Sequence, residues 1–305
     1  MSRGWLPAWL AAAAGLALLS APLAAAPGRS EDLAQLRARA EAGDATAQND
    51  LGGRLMETED PARLPEAREW YRKASDAGHA EGMNNYATML LMGLGGAADE
   101  AAGRRLREQA AARGSVAAHL SIAERYLRGA EGYPLDRARA LHHVRTAAES
   151  SSPVAHYAQW RLGMMYLQGV GTPADPVEAY RWVVRASEGG DVSAMISRGV
   201  MLATGEGVAE DDAAARIWYQ RAAESGDVNF RHAMRGLGAM LVTGEGGPAD
   251  LPRGIAYLRI AQAASDANAS QLLETWRDRI TPEVDRQAVE IANRWMAEHL
   301  PSGDR

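Results

Sequence analysis

The stretch GEGVAEDDAAARIWYQRAAESGD, residues 205–227, holds the residue types of a small-ligand site. Gly205 and Gly207 open it, and glycines let a backbone approach a phosphate. Glu210, Asp211 and Asp212 follow, three carboxylates of the kind that ligate hard cations. Trp218 and Tyr219 then present aromatic faces. A phosphate loop requires more than glycines: a strand before it and, in the Walker form, a lysine after its last glycine. Lys73 is the only lysine in the chain and lies far from every Gly-x-Gly. The acids at 210–212, and those of ETED at 57–60, lack the alternating ligands and central glycine of a calcium loop. Acids of this kind also suit a helix N-terminus, where the macrodipole favours negative charge.

Nucleophiles fare no better. A Ser-x-x-Lys site would need a serine three places before Lys73, and Trp70 stands there. No Gly-x-Ser-x-Gly elbow occurs. The chain has no cysteine, which excludes disulfides, zinc ribbons, thiol catalysis and lipid attachment at an N-terminal cysteine. Seven histidines remain as metal ligands. His142 and His143 are adjacent, so on a helix they diverge by about 100° and do not chelate together. His119, His156 and His232 have no histidine or acid partner at a helical chelating spacing. Catalytic, cofactor and metal residues are therefore all assigned as none, and no enzyme is expected.

The opening stretch is one copy of several. Comparable segments start at Gly93, Gly129, Gly169 and Gly244, so that with Gly205 the starting glycines are spaced 36, 40, 36 and 39 residues apart. A recurring period of this length is the mark of a repeat architecture. Before each glycine pair runs a first helix with a small residue, a large one four places on, then another small one. The series is Ala47-Leu51-Gly52, Gly82-Tyr86-Ala87, Ala118-Ile122-Ala123, Ala158-Leu162-Gly163, Ala194-Arg198-Gly199 and Ala233-Leu237-Gly238. Spacing of four keeps these on one helical face. After the pair, a second helix repeats small-x-x-large-large-x-x-Ala, as in Ala179-Trp182-Val183-Ala186 and Ala215-Trp218-Tyr219-Ala222. His143 takes a large-residue place in this pattern and is read as a packed core histidine. Glycines at 78, 114, 190 and 226 end the units as C-terminal caps.

The segment LGMMYLQGVGTPADPVEAYRWVVRASEGGD, from Leu162, resembles the Sel-one-like repeat, a relative of the tetratricopeptide repeat. The resemblance extends over roughly residues 44–267. It implies an all-α fold, a right-handed α/α superhelix of about six helix-turn-helix repeats, used for protein–protein contact and often exported in bacteria. It also implies N- and C-terminal capping helices. A cysteine-rich branch of the family ties each repeat with a disulfide and is linked to penicillin-like substrates; this chain departs from that branch.

Composition fits the same picture. Hydrophobic residues make up 47% and aromatics only 6%, a small-residue balance that suits closely packed helices. The net charge of -6 gives no basic patch for nucleic acid. Arg3, an apolar run to Leu19 and an alanine cluster have the order of a secretory signal peptide, cut near Ala25. An uncleaved anchor is the alternative, although the run is short for a span of about 20 residues. The expected organisation is a signal peptide at 1–25, a leading helix at 26–43 with Ser30 as N-cap and two acids in its first turn, and a solenoid at 44–267. Capping helices follow at 268–300, then a disordered tail at 301–305. A periplasmic or secreted monomer is expected, with no membrane span after cleavage.

By tetratricopeptide analogy, the concave surface comes from set positions on the first helices. In the middle repeats most of these are apolar: Leu120 and Leu127, then Trp160, Met164 and Leu167, then Ile196, Val200 and Ala203, with Glu124, Arg128, Gln168 and Thr204 at the remaining places. An apolar patch with polar flanks is what a peptide groove needs. The candidate partner-binding residues are Leu120, Leu127, Trp160, Met164, Leu167, Arg198 and Arg235. Trp160 is the expected exposed anchor, with Arg198 or Arg235 holding an acidic group at the rim. Two alternatives stay open. These positions face the neighbouring helix instead, or Arg198, standing where other repeats have Leu, Ile or Tyr, reaches solvent along an apolar stem. The functional expectation is a non-catalytic scaffold for a protein or peptide; the alternatives are a cell-wall enzyme or an adaptor that uses its convex face.

Overall fold

A computed structural model describes residues 32–58, 60–130, 132–225, 227 and 229–299. The expected signal peptide, the Ser30 cap, the Gly226 cap and the tail at 301–305 lie outside the described residues. A leading helix α1 (Leu33–Glu41) is followed by six helical hairpins. These are α2 (Ala45–Met56) with α3 (Leu64–Asp76), α4 (Ala80–Met92) with α5 (Glu100–Ala112) and α6 (Val116–Arg128) with α7 (Arg137–Ala148). Then come α8 (Ala155–Gln168) with α9 (Pro176–Glu188), α10 (Val192–Thr204) with α11 (Asp212–Ala223) and α12 (Phe230–Thr243) with α13 (Leu251–Ala263). Helices α14 (Ala267–Thr275) and α15 (Pro282–His299) follow. No strand occurs among the described residues, and the fold is an all-α solenoid. The helices form two compact units, one ending at Arg113 and one starting at Gly114.

One detail of the leading helix differs from expectation. It starts at Leu33 with no acid in its first turn, and Asp32 at the N-cap place makes no side-chain cap bond.

The loop inside each of the five hairpins from α4–α5 to α12–α13 is built the same way. The first glycine of the pair ends the first helix in the left-handed conformation; Gly205 has φ 70° and its predecessor turn closes with Glu206 N–H donating to Met201 O at 3.0 Å. An aspartate then caps the second helix. Asp211 accepts from Ala214 N–H at 2.9 Å, and its own N–H returns to Leu202 O at 2.9 Å. Asp99, Asp136, Asp175 and Asp250 do the same work at the other loops. The acids of 210–212 are thus a helix cap and its flanks, worth about 1 kcal/mol per cap.

The second glycine carries the contact between repeats. Gly207 has φ 73°, and a β-carbon on it would collide with the Pro176 carbonyl oxygen at the start of α9, one repeat earlier. Gly171 meets the Arg137 carbonyl of α7 in the same manner, and Gly95 and Gly246 repeat the contact. The Gly-x-Gly is a repeat-to-repeat joint, and its backbone faces protein rather than a phosphate.

The aromatic pair fills the space this joint defines. Tyr219 is 7% exposed, and a β-carbon on Gly199 of α10 or Gly236 of α12 would come within 3.0 or 2.9 Å of its ring. Trp218, Leu202, Leu237, Met234 and Leu241 are buried around it. Each such large side chain contributes about 1.5–3 kcal/mol by leaving water. Helix α15 extends this core with Ala288, Ala292 and Trp295. The repeat pattern also persists one step beyond its sequence-legible end, since Asp266 caps α14 as Asp44 caps α2 and Asp191 caps α10.

A paired substitution separates conformational strain from this packing. Gly190 has φ 94° with nothing within 4 Å of an added β-carbon. Gly190→Ala should cost about 1–2 kcal/mol for the left-handed backbone alone. Gly207→Ala should cost about 1–3 kcal/mol more than that, because the joint must open. Urea unfolding of both variants measures the difference, and equal losses would remove the joint as a packing constraint.

Candidate functional site

The first helices of the unit starting at Gly114 carry the apolar positions singled out from the sequence. All are half-buried. Leu120 and Leu127 of α6 pack on a core of Val116, Ala123, Val144 and Leu162. Met164 and Leu167 of α8 pack on Ala179, Val183 and Met201. Ile196, Val200 and Ala203 of α10 rest on the next core. Each of these side chains thus packs on its neighbours while keeping part of its surface exposed.

Three of the singled-out residues are differently engaged than expected. Trp160 is half-buried rather than an exposed anchor. Its Nε1–H donates to Ser197 Oγ at 3.0 Å, and that hydroxyl donates to Ser193 O at 2.9 Å. The indole therefore ties α8 to α10, with Tyr157 at 5.6 Å between ring centroids.

Arg198 neither reaches solvent nor waits for a partner. Its side chain is 15% exposed, donates to Ser187 Oγ at 3.1 Å and lies 3.5 Å from the Glu188 carboxylate. Its guanidinium sits 4.1 Å from the Trp218 ring centre. A desolvated cation over a tryptophan face gains about 2 kcal/mol, which explains how an arginine fits where other repeats place Leu or Ile.

Arg235 is held as firmly. Its side chain, 11% exposed, donates to Asp266 at 2.5 Å, and His232 Nδ1 lies 3.2 Å from the same oxygen. Burial alone would raise the Asp266 pKa. Hydrogen bonds from His232 and Arg235, the arginine's charge and the Ala269 N–H outweigh burial and hold the carboxyl well below the usual carboxylate range. Neither Arg198 nor Arg235 is available at a rim. The charged residues beside the apolar row are also mutually paired: Glu124 meets Arg128 on its own helix and Arg161 of α8 at 3.6 Å.

Two polar features escaped the sequence reading. Arg107 is 3% exposed and donates to Thr88 Oγ1 at 2.9 Å, a buried arginine at a place that takes Val, Tyr or Leu in other second helices. His119 of α6 and His143 of α7 meet across their hairpin, Nδ1 to Nδ1 at 3.0 Å. His143 is half-buried rather than core, stacked on Tyr126 at 5.8 Å. Burial, then the neighbouring His119 and His142, push its pKa down to about 4. The repeat register could have flagged this pair, since α6 and α7 must pack antiparallel as one hairpin.

A cavity of about 360 Å³ lies away from the apolar row, between α11, α12, α13 and α15, with Met234 and Leu237 below and Arg253, Arg294, Trp295 and Glu298 around it. Among the described residues no three His, Asp or Glu side chains gather as a metal cluster, and no helix is long and apolar enough to cross a membrane.

Repeated antiparallel helix pairs joined by a capped glycine loop define a helical-repeat protein whose units each bury their faces on neighbours. The Sel1 repeat matches at residues 45–79, 80–115, 116–152, 156–191, 192–227 and 231–265, one match to each hairpin from α2 to α13. The chain belongs to the Sel1 repeat family, whose members generally mediate protein–protein interactions. Among solved structures it is similar to c5321, a protective antigen present in uropathogenic Escherichia coli strains displaying an SLR fold. Identity there is 26% with a TM-score of 0.67, covering 88% of this chain and 56% of that one. The chain thus spans little more than half the length of that antigen. A Sel1 repeat protein from Oxalobacter formigenes has the same fold at 24% identity and a TM-score of 0.63, covering 76% of this chain and 100% of that one. No curated protein sequence matches.

The Arg235–Asp266 pair makes a testable contribution to stability. Asp266→Asn removes the counter-charge of a buried guanidinium and should cost about 3 kcal/mol at neutral pH. The folded pKa is depressed, so the carboxylate's contribution is full above its unfolded value of about 3.9 and fades as pH falls towards the folded value. The gap between wild type and variant in urea melts should be level above about pH 5 and narrow below about pH 4. A gap unchanged at pH 3 would contradict the charged pairing.

Proposed function

We propose that this protein is a non-catalytic interaction scaffold, exported to the periplasm as a monomer, that binds a protein or peptide along the first-helix face of α6, α8 and α10. One observation supports this above others. Leu120, Leu127, Met164, Leu167, Ile196 and Val200 form a row of half-buried apolar side chains while the charges beside them are satisfied within the chain. Such a row offers apolar contact area with little competing electrostatics, and interface cores are depleted in charge for that reason. Arg198 and Arg235 drop out of the contact set because their partners are internal. Export accords with the order of Arg3, apolar run and alanines at the N-terminus.

The test uses protein isolated from a periplasmic fraction, which should begin near Ala26 by N-terminal sequencing. Intact Met1 on cytoplasmic protein would remove the proposed location. Partners captured by the wild type are then measured against Leu127→Glu/Met164→Glu. Trp160 is unsuited to the role because its indole also binds Ser197. The double variant should keep its helical signal and weaken capture by more than about tenfold, a loss of 1.4 kcal/mol. Ile217, 53% exposed on second helix α11, supplies the control. A partner lost with Ile217→Glu and kept by the double variant would place binding on the other face.

A further inference from the structure

The His119–His143 contact has a geometry that fits more than a hydrogen bond. The two Nδ1 atoms are 3.0 Å apart, one on α6 and one on α7, so the bite is set by the packing of the hairpin rather than by either helix alone. With metal–nitrogen bonds of about 2.0–2.1 Å, two nitrogens at this separation subtend roughly 95° at a shared ion. Tetrahedral coordination would need them about 3.3 Å apart, whereas a tetragonal ion takes neighbouring ligands near a right angle. The ring centroids are 5.2 Å apart, so the two Nδ1 atoms point nearly at each other, and each ring turns about its side-chain torsions to bring both lone pairs to one ion beside the line joining the nitrogens.

Aromatic side chains pack on the His143 side of the pair. Tyr126 stacks on His143 at an interplanar angle of 23°, and Tyr133 packs edge-on against Tyr126 at 5.1 Å. Tyr133 is 8% exposed, so this aromatic support is itself anchored. Arg139 lies over the Tyr126 ring, 5.7 Å from its centre, and is paired with Asp136 at 3.3 Å. His142, exposed on the same helix, packs edge-on against the His143 ring at 5.7 Å between centroids, and the close nitrogen contact is that of His119 with His143. Imidazole suits copper, nickel and zinc, and copper(II) heads the affinity order for divalent ions.

We propose that His119 and His143 form a two-imidazole site for a divalent transition-metal ion, copper(II) foremost, with water in the remaining positions. In the metal-free pair one ring donates its Nδ1–H to the other. On binding, that ring carries its proton on Nε2 instead, so both Nδ1 lone pairs face the ion and no proton need leave the protein. The site belongs to repeat three and lies on the pairing of its two helices, so an ion there braces that hairpin.

The full chain, freed of any affinity tag, is titrated with copper(II) chloride and separately with nickel(II) chloride in a non-chelating buffer. Calorimetry should show one equivalent bound ahead of weaker sites. His119→Gln and His143→Gln should each weaken that equivalent by at least about tenfold, since even outer-shell changes cost 10–100-fold. His142→Gln should leave it intact. The copper(II) resonance spectrum of the wild type should show two imidazole nitrogens, a readout that does not depend on the variants folding. Binding unchanged in both the His119 and His143 variants, binding lost with His142→Gln, or fewer than two coupled nitrogens would overturn the site.

Discussion

A carbonyl oxygen at the start of one repeat's second helix lies where a β-carbon of the next repeat's loop would be. That contact, Gly207 on Pro176 and Gly171 on Arg137, sets how closely successive hairpins approach. A positive φ and a steric ban on any side chain coincide at the same residue, so only glycine meets both demands. Everything nearby follows from the distance so fixed. The aspartate four places on reaches the N-terminus of its helix, its N–H returns to the first helix, and the second helix lies near enough for Tyr219 to rest between glycines of two first helices. The loop that looked like a ligand cradle has its backbone already in contact with protein.

The same closeness decides which polar residues can exist inside. An arginine at the place of Arg198 is tolerated because α9 and α11 bring a serine, a carboxylate and an indole face to it. Arg235 is tolerated because Asp266, the cap of α14, lies within reach. In each case a neighbouring repeat supplies the partner, so these charges brace repeat to repeat. What remains on the first-helix face of α6, α8 and α10 is apolar and half-buried, with Trp160 clasped to Ser197 beneath it.

The periodic features were legible from the chain alone because each is a local rule repeated: the glycine pair, the capping acid, the small–large–small face and the paired large residues. The departures were visible but their outcomes were not. Arg198 stands out in a column of Leu, Ile and Tyr, yet its acceptors are 10 and 11 residues back and its aromatic partner is in the next helix. Trp160 finds Ser197 across 37 residues, one period plus one, a relation that repeat register implies and composition does not. His119 and His143 are 24 residues apart, a separation that no single-helix spacing rule covers. The legible repeats end with the solenoid at 267, but Asp266 carries the capping chemistry into α14.

The central claim is that the repeat, joined through its glycine loop, is the unit of stability. Excising residues 191–226 removes α10 and α11 together and joins Gly190 to Asp227, a deletion of 36 residues that would bring Gly246 to the Pro176 carbonyl in place of Gly207. Excising 209–226, 18 residues, removes α11 alone and strands α10 with its apolar face uncovered. Circular dichroism and thermal melting of the two proteins should show the first helical, soluble and cooperative and the second largely unfolded. Equal loss of structure in both would contradict the account.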